Sequence, residues 1–407
     1  MAANELPLLG IRVLDLSRAL AGPYATSLLS DLGATVTKVE SIKGGDSTRG
    51  WPPFEGEHSL YFDSVNRGKS SIAVDFYTPA GQALLRELAL ASDVVIENFR
   101  PGVMAEIGLD PVSLRAEKPA LIVASVSGFG ATGPLSQTAG LDQVAQGMSG
   151  IMSVTGENVD SMYRVGIPIV DIYAGIFTAF GVAAALVGRE LSGNGLEVST
   201  SLLEAGLAIS VFQGQRYLST GEIPTPQGNN HPVLVPYGVF ATADIPIIIA
   251  AGTDKHWRDL CVLLGDDELA SDPRFATGKD RTRNRDLVKG RLEKLLASRS
   301  GIEWVDALRT AGIPVGPIYN YAQAFADPQV VHLDMVQHVK RPDGSDLPLL
   351  RGPLSIAGAP TRIRKAPPGL GEDTLAVLAG LGLTDEQVRG LLDAGVVSTG
   401  VPVASKV

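Results

Sequence analysis

Residues 165–188, VGIPIVDIYAGIFTAFGVAAALVG, form a long apolar run with a single charge, Asp171, and an arginine at each flank, Arg164 and Arg189. A stretch of about 20 apolar residues is long enough to span a bilayer. An aspartate inside such a span costs about 2.5–3.5 kcal/mol on insertion scales. Pro168, Gly175 and Gly181 interrupt this run, and no second one follows. The run is therefore expected to be the buried helix of a large fold, with no membrane partner.

The remaining chain fits that expectation. It has 407 residues, 45% hydrophobic and 19% charged, enough for a large core and two domains. The start, MAANELPLLG, lacks a basic region followed by an apolar segment, so no secretory signal is expected. Cys261 is the only cysteine, which forbids an intrachain disulfide; a cytoplasmic location is expected. No His or Cys pair has metal-ligand spacing, so no metal is expected. The net charge of −10, with no Lys/Arg stripe, argues against a nucleic-acid partner. A small anion can still bind a local basic pocket.

Strand-like and helix-like segments alternate through the first half. IRVLDLS (11–17), TVTKVE (35–40), SSIAVDF (70–76), SDVVIENF (92–99) and PALIVASVSGFG (119–130) read as strands. PYATSLLSDLGA (23–34) and AGQALLRELALA (80–91) read as helices, the second opened by Thr78-Pro79. This predicts an α/β fold with a Rossmann-like parallel sheet. NGLEVSTSLLEAGLAISVFQGQRYLST (194–220) predicts a turn, a short strand and one long helix. A Pro/Gly/Asn-rich stretch then opens a smaller α+β domain. The expected boundaries are 1–221 for the large domain, 222–320 for the small one, and 321–407 for a return to the large one. Thr384 with Gln387 marks a capping box in that tail.

Four features carry chemistry. SGFGATGP places Gly128, Gly130 and Gly133 after a strand, a literal G-x-G-x-x-G. Pro134 follows at once and no acid ends a second strand at the expected distance, so a flexible loop beside a site is the better reading. ENFRPG sets Asn98, Phe99 and Arg100 at a strand's C-terminal end, where parallel sheets bind ligands. Arg67 and Lys69 stand just before another strand, and a solvated basic loop explains them equally well. Asp171 leaves two readings open. It is either a first-turn residue that favours the helix dipole, or a carboxylate nucleophile for an activated acyl group. Burial would raise its pKa and the helix N-terminus would lower it.

Together these stretches resemble a known family. AGP (21–23), DLGA (31–34), GDSTR (45–49), VNRGKSSI (65–72), ENFRPG (97–102), SGFGATGP (127–134), AGLD (139–142), IVDIYAG (169–175) and SLLEA (201–205) occur in the order found in the class III CoA-transferases. That family includes formyl-CoA and carnitine CoA-transferases and the 2-methylacyl-CoA racemases. The resemblance implies that Asp171 is the nucleophile. It attacks an acyl-CoA thioester, passes through an anhydride and carries CoA as an aspartyl thioester to an acceptor acid. It implies CoA contacts at Ala19, Leu20 and Ala21, at Val65, Arg67, Gly68 and Lys69, at Asn98, Phe99 and Arg100, and near Gly128 and Leu141. It also implies an interlocked homodimer, with the CoA thioester as substrate and no tightly bound cofactor.

The family pattern is departed from at Ser41 and Glu106, where basic residues are found in formyl-CoA transferase, and at Leu141, where it has a tyrosine and the racemases a histidine. H-x-x-x-VPY (231–237) and GPIYNYAQAFADPQVVH (316–332) are similar to succinate–hydroxymethylglutarate CoA-transferase, which implies succinyl-CoA as donor and a dicarboxylic acid as acceptor. Gly130, Arg164 and His231 are the candidates to meet that acid. An epimerase and a non-catalytic CoA-ester binder stand as the rival readings.

Overall fold

A computed structural model describes residues 6–359 and 362–400. The chain divides into two compact units. The first holds residues up to 151, 164–222 and those from 333 onward; the second holds 152–163 and 223–332.

The first unit is built on a seven-stranded sheet. Its strands are β1 (Arg12–Asp15), β2 (Thr35–Ser41), β3 (Lys69–Val74), β4 (Val94–Glu97), β5 (Ile122–Ser127), β6 (Glu197–Ser201) and β7 (Val397–Ser398). They lie in the order β7-β3-β2-β1-β4-β5-β6. The five pairings among β1 to β6 are parallel, and only the late strand β7 runs antiparallel, against β3. A parallel sheet must be covered on both faces, and the strand sequences provide for that. Val13, Val94, Ile96 and Ile122 point to one side; Leu14, Val95 and Val123 point to the other.

Six helices matter for the site: α1 (Ala21–Asp31), α2 (Leu60–Val65), α3 (Pro79–Ala91), α4 (Asp142–Met148), α5 (Ile169–Ser192) and α6 (Leu202–Ala208). Leu84, Leu85 and Leu88 of α3 cover one face of the sheet; Ala25 and Leu29 of α1 and Val182, Ala185 and Leu186 of α5 cover the other. Thr78 caps α3 by accepting the Gly81 N–H, with Pro79 in the first turn, as its sequence predicts.

The apolar run is α5. Among the described residues it is the one helix whose length and composition would suit a membrane span. One side of it lies on α1 and the sheet. At Gly175 the helices approach so closely that a Cβ would fall 2.6 Å from the Ala21 carbonyl oxygen, which explains the glycine. The other side leaves Ile176, Phe180, Val187 and Leu191 exposed.

The long helix expected over the end of 194–220 is two pieces, α6 and a helix over Val211–Thr220. The break falls at Val211, whose φ of 36° is left-handed and stops helical continuation.

The second unit has a three-stranded antiparallel sheet of Tyr237–Phe240, Ile247–Ala250 and Val315–Pro317, with Ile247–Ala250 in the middle. Trp257, Leu260, Leu292, Trp304 and Leu308 from its helices pack on Phe240, Ile247 and Ile249. It extends to residue 332 rather than 320. It also takes in 152–163, where the Gly156 carbonyl accepts the Gly228 N–H. In the tail, Thr384 and Gln387 close the expected capping box.

Candidate active site

In this strand order the chain reverses direction across the sheet between β1 and β4, and ligands bind beyond the strand C-termini at such a point. β1 runs into residues 16–20 and β4 into 98–100. The two loops are tied together: the Arg18 N–H donates to Asn98 Oδ1 at 2.8 Å, and Asn98 Nδ2 donates to the Arg18 carbonyl at 2.7 Å. The Asn98 amide is thus a strut between the loops. Ala19 follows with a left-handed φ of 64°, and its N–H reaches Asp46 Oδ1 at 3.3 Å. Backbone strain of this kind concentrates at functional sites.

Beside these loops opens a cleft of about 300 Å³, lined by Arg18, Ser41, Lys43, Tyr77 and Phe99 among others. The Arg18 guanidinium lies 5.2 Å from the Phe99 ring centre, and the Lys43 ammonium 5.9 Å from that of Tyr77. Arg18, Lys43 and Arg100 are exposed and have no ion-pair partner among the described residues. Glu97, buried at the end of β4, accepts the Phe99 N–H at 2.7 Å; burial pushes its carboxyl up to about 7.

Lys69 and Arg67, expected to meet CoA, turn inward instead. The Lys69 ammonium is fully buried and donates to Asp15 Oδ2 at 2.9 Å, the Pro23 carbonyl at 2.9 Å and Asn66 Oδ1 at 2.8 Å. That uses all three of its protons. Arg67 is also buried and forks onto Asp31 at 3.2 and 2.5 Å. Val65 is buried, and its carbonyl accepts the Ser27 hydroxyl; Gly68, with φ 75°, donates its N–H to the Lys365 carbonyl. The 65–69 side chains serve the frame of the unit. Lys38, buried at the floor of the cleft, pairs with Asp46 at 3.0 Å and donates to the Ser17 carbonyl. Glu40, at the end of β2, is held by Arg49.

The second part of the site is the start of α5. Gly128 and Gly140 cross so closely that a Cβ on Gly128 would fall 2.6 Å from the Gly140 Cα, so only glycines permit the crossing. This pins the loop after β5 against the approach to α4. The Gly130 N–H donates to Ser127 Oγ at 2.9 Å and is therefore engaged. Leu141 is 69% exposed, next to Asp142 at the start of α4. Asp142 Oδ1 accepts the N–H of Val170 at 2.9 Å and of Asp171 at 3.3 Å. Asp171 is half-buried, in the first turn of α5 and one turn before the Gly175 crossing. No donor or cation reaches its carboxylate among the described residues. Burial, reinforced by the Asp142 charge, pushes its pKa up to about 7. The helix N-terminus was expected to oppose that rise, but Asp142 occupies two of its free N–H groups.

Tyr61 of α2 belongs to the same neighbourhood. Burial raises its phenol pKa, and the charges of Asp171 and Asp142 raise it further. Its ring meets that of Trp51 edge-on at 5.1 Å. Sequence reasoning missed Asp142, Tyr61, Arg18 and Lys43. Asp142 reads as an ordinary first-turn acid, and the other three sit in no periodic pattern.

Arg164 is exposed and, among the described residues, donates only to the Val165 carbonyl, at 3.1 Å. His231 lies in the second unit, stacked on Tyr237 at 4.9 Å. Its Nδ1 accepts the N–H groups of Val233 and Leu234, which puts the proton of the neutral ring on Nε2. Burial and then Arg285 lower its pKa, favouring that neutral form. Among the described residues no group of three His, Cys, Asp or Glu side chains is arranged to hold a metal.

Comparison with known proteins identifies the scaffold. The CoA-transferase family III model matches residues 8–374. The succinate–glutarate CoA-transferase of Agrobacterium fabrum is 41% identical over 388 residues, covering 94% of this chain and 97% of that protein. The acetyl-CoA:oxalate CoA-transferase of Acetobacter aceti is 40% identical over 331 residues, covering 81% of this chain and 85% of that protein. The crystal structure of a CAIB/BAIF family protein from Brucella suis has a TM-score of 0.83 to this chain at 39% identity, over 93% of this chain and 100% of that one. With the family model spanning both units and the relatives matching nearly end to end, the chain belongs to CoA-transferase family III and is a transferase.

Proposed function

We propose that this enzyme moves CoA from an acyl-CoA donor, succinyl-CoA, to a dicarboxylic acid through a thioester on Asp171. The observation that carries the reading is a half-buried carboxylate at the start of α5, unpaired among the described residues and pushed up to about 7 by burial and by Asp142. Such a group is ionised in substantial part at neutral pH and is more nucleophilic than an ordinary aspartate.

An Asp171 oxygen attacks the donor's thioester carbon. The carbon–sulfur bond breaks, CoA leaves as thiolate, and a mixed anhydride remains. The thiolate attacks the Asp171 carboxyl carbon and expels the donor acid as carboxylate. The acceptor carboxylate attacks the resulting aspartyl thioester, forms a second anhydride and releases the thiolate. The thiolate then attacks the acceptor's acyl carbon and restores Asp171. No net proton is consumed. Each tetrahedral step needs donors for its oxyanion, and backbone amides of the 128–133 loop other than the engaged Gly130 are the candidates.

The phosphorylated end of CoA is assigned to the cleft. Arg18 and Lys43 of its lining supply positive charge, unpaired among the described residues, and Phe99 and Tyr77 supply rings for a base. The turn at Ala19–Ala21 links that cleft to α5, where the Ala21 carbonyl meets Gly175. Arg164, exposed in the same unit as Asp171, is assigned to the acceptor's distal carboxylate. The relatives named for glutarate and oxalate support a dicarboxylic acceptor.

The enzyme is further proposed to be a cytoplasmic, interlocked homodimer without a tightly bound cofactor. The exposed stripe of Ile176, Phe180, Val187 and Leu191 on α5 supports association, because such a row of large apolar groups is costly to leave in water.

Mass spectrometry of the acyl-CoA pool tests the reading. Succinyl-CoA is mixed with glutarate, oxalate, hydroxymethylglutarate and hydroxy acids, with Asp171→Ala as control. A new acyl-CoA formed by the wild type alone is expected. No new thioester with any acid would exclude succinyl-CoA as donor.

A further inference from the structure

The end of α5 that carries Asp171 has no cap of its own, because Pro168 stands at the N-cap and offers no side-chain acceptor. The cap comes from α4. Asp142 Oδ1 accepts the Val170 and Asp171 N–H groups at 2.9 and 3.3 Å. Asp142 Oδ2 accepts from Gln146 Nε2 at 2.6 Å. Gln146 is fully buried, and its Oε1 accepts the Val165 N–H at 2.8 Å from the segment leading into α5.

Three donors therefore converge on one carboxylate. We propose that Asp142 is a positioning residue for the nucleophile, fixing the first turn of α5 and setting the charge environment in which Asp171 reacts. This rests on Asp171 being the nucleophile, as argued above.

The polarity of the network requires an acid at 142. An asparagine that kept its oxygen toward Val170 and Asp171 would turn its NH₂ toward the Gln146 NH₂, placing two donors face to face. Flipping Gln146 would cure that clash and create another at the Val165 N–H.

The electrostatics agree. After burial, Asp142 is the one further cause that raises the Asp171 pKa. Tyr61 of α2 also senses both acids. From the other elements against α5, Tyr24 of α1 is coupled to Arg67 and Asp31, and Glu204 of α6 bonds Ser201. Neither supplies a cation to Asp171. Removing the Asp142 charge therefore leaves a less basic nucleophile, ionised at lower pH.

The test is the pH profile of kcat/KM for succinyl-CoA transfer in wild type, Asp142→Asn and Asp142→Glu, with Asp171→Ala alongside. In Asp142→Asn the midpoint should move to the acid side by about one pH unit, and the high-pH plateau should fall about tenfold or more with donor KM changed about twofold or less. Asp142→Glu should keep the wild-type midpoint. If Asp142→Asn does not fold, Asp142→Ser, which also lacks the charge, should show the same acid shift. An unmoved midpoint in a charge-free variant whose transfer still depends on Asp171 overturns this proposal alone. Transfer that survives Asp171→Ala overturns the nucleophile reading and this proposal with it.

Discussion

Asp15 and Asp171 are both withdrawn from water in the first unit, and their neighbours drive them in opposite directions. Burial alone would raise the Asp15 pKa, but the Lys69 and Lys38 ammonium groups and the Ser17 and Thr26 hydroxyls outweigh it and hold the carboxyl well below its usual range. Asp171 meets no cation among the described residues; burial and Asp142 push it up to about 7. The fully surrounded aspartate is a permanently charged part of the frame. The half-surrounded one is kept reactive. Burial sets the stakes, and the sign of the nearest charge decides whether a carboxylate becomes structure or chemistry.

The largest effect of breaking this contrast is expected at the frame. Lys69→Met leaves Asp15 buried beside a single lysine, and removing one partner of a buried pair costs about 3–5 kcal/mol. Urea unfolding should show that loss. The exposed pair of Arg86 with Glu117 provides the reference: Arg86→Ala should cost about 1 kcal/mol or less. Equal losses would mean that the buried network does not carry the stability assigned to it.

A second prediction uses the opposite sign at Asp171. Its carboxyl titrates near 7 when folded against an ordinary 3.8 when unfolded. Between those values the folded chain holds a proton that the unfolded chain has released, so this group's contribution to stability falls as pH rises through the window. Asp171→Asn removes the effect. Its stability relative to wild type should therefore rise from pH 4 to pH 8, while transfer is lost. A difference that stays flat with pH would show that Asp171 is not raised. Asp15 behaves in the reverse sense: its contribution is complete above the unfolded value and is lost as pH falls toward its depressed folded pKa.

Lys43→Ala gives the smallest change. Lys43 is exposed, so its loss should raise KM for the CoA thioester about two- to fivefold and leave kcat unchanged. The same change with dephospho-CoA thioesters would show that Lys43 does not read the 3′-phosphate.

The sheet was legible because its strands are short β-branched runs separated by capped helices; Val94–Glu97 falls within the segment the sequence marks, and Thr78-Pro79 opens its helix as read. Asp171 was legible as a first-turn acid on an apolar helix. The fates of Lys69 and Arg67 were not. A sequence displays charges without their partners, and Asp15 lies 54 residues from Lys69 in the chain. The role of Asp142 was hidden for the same reason, since it caps a helix that begins 27 residues later in the chain. The excursion of 152–163 into the second unit has no compositional mark, and it is fixed by contacts such as that between Gly156 and Gly228.

The most direct test of the central claim is to look for CoA on Asp171. Wild-type enzyme mixed with succinyl-CoA and no acceptor is quenched, digested and analysed by peptide mass spectrometry. The account predicts a CoA adduct on the peptide containing Asp171 that disappears when glutarate is added before quenching. An adduct on another residue, or turnover with no adduct on Asp171 under conditions where Asp171→Ala also turns over, would contradict it.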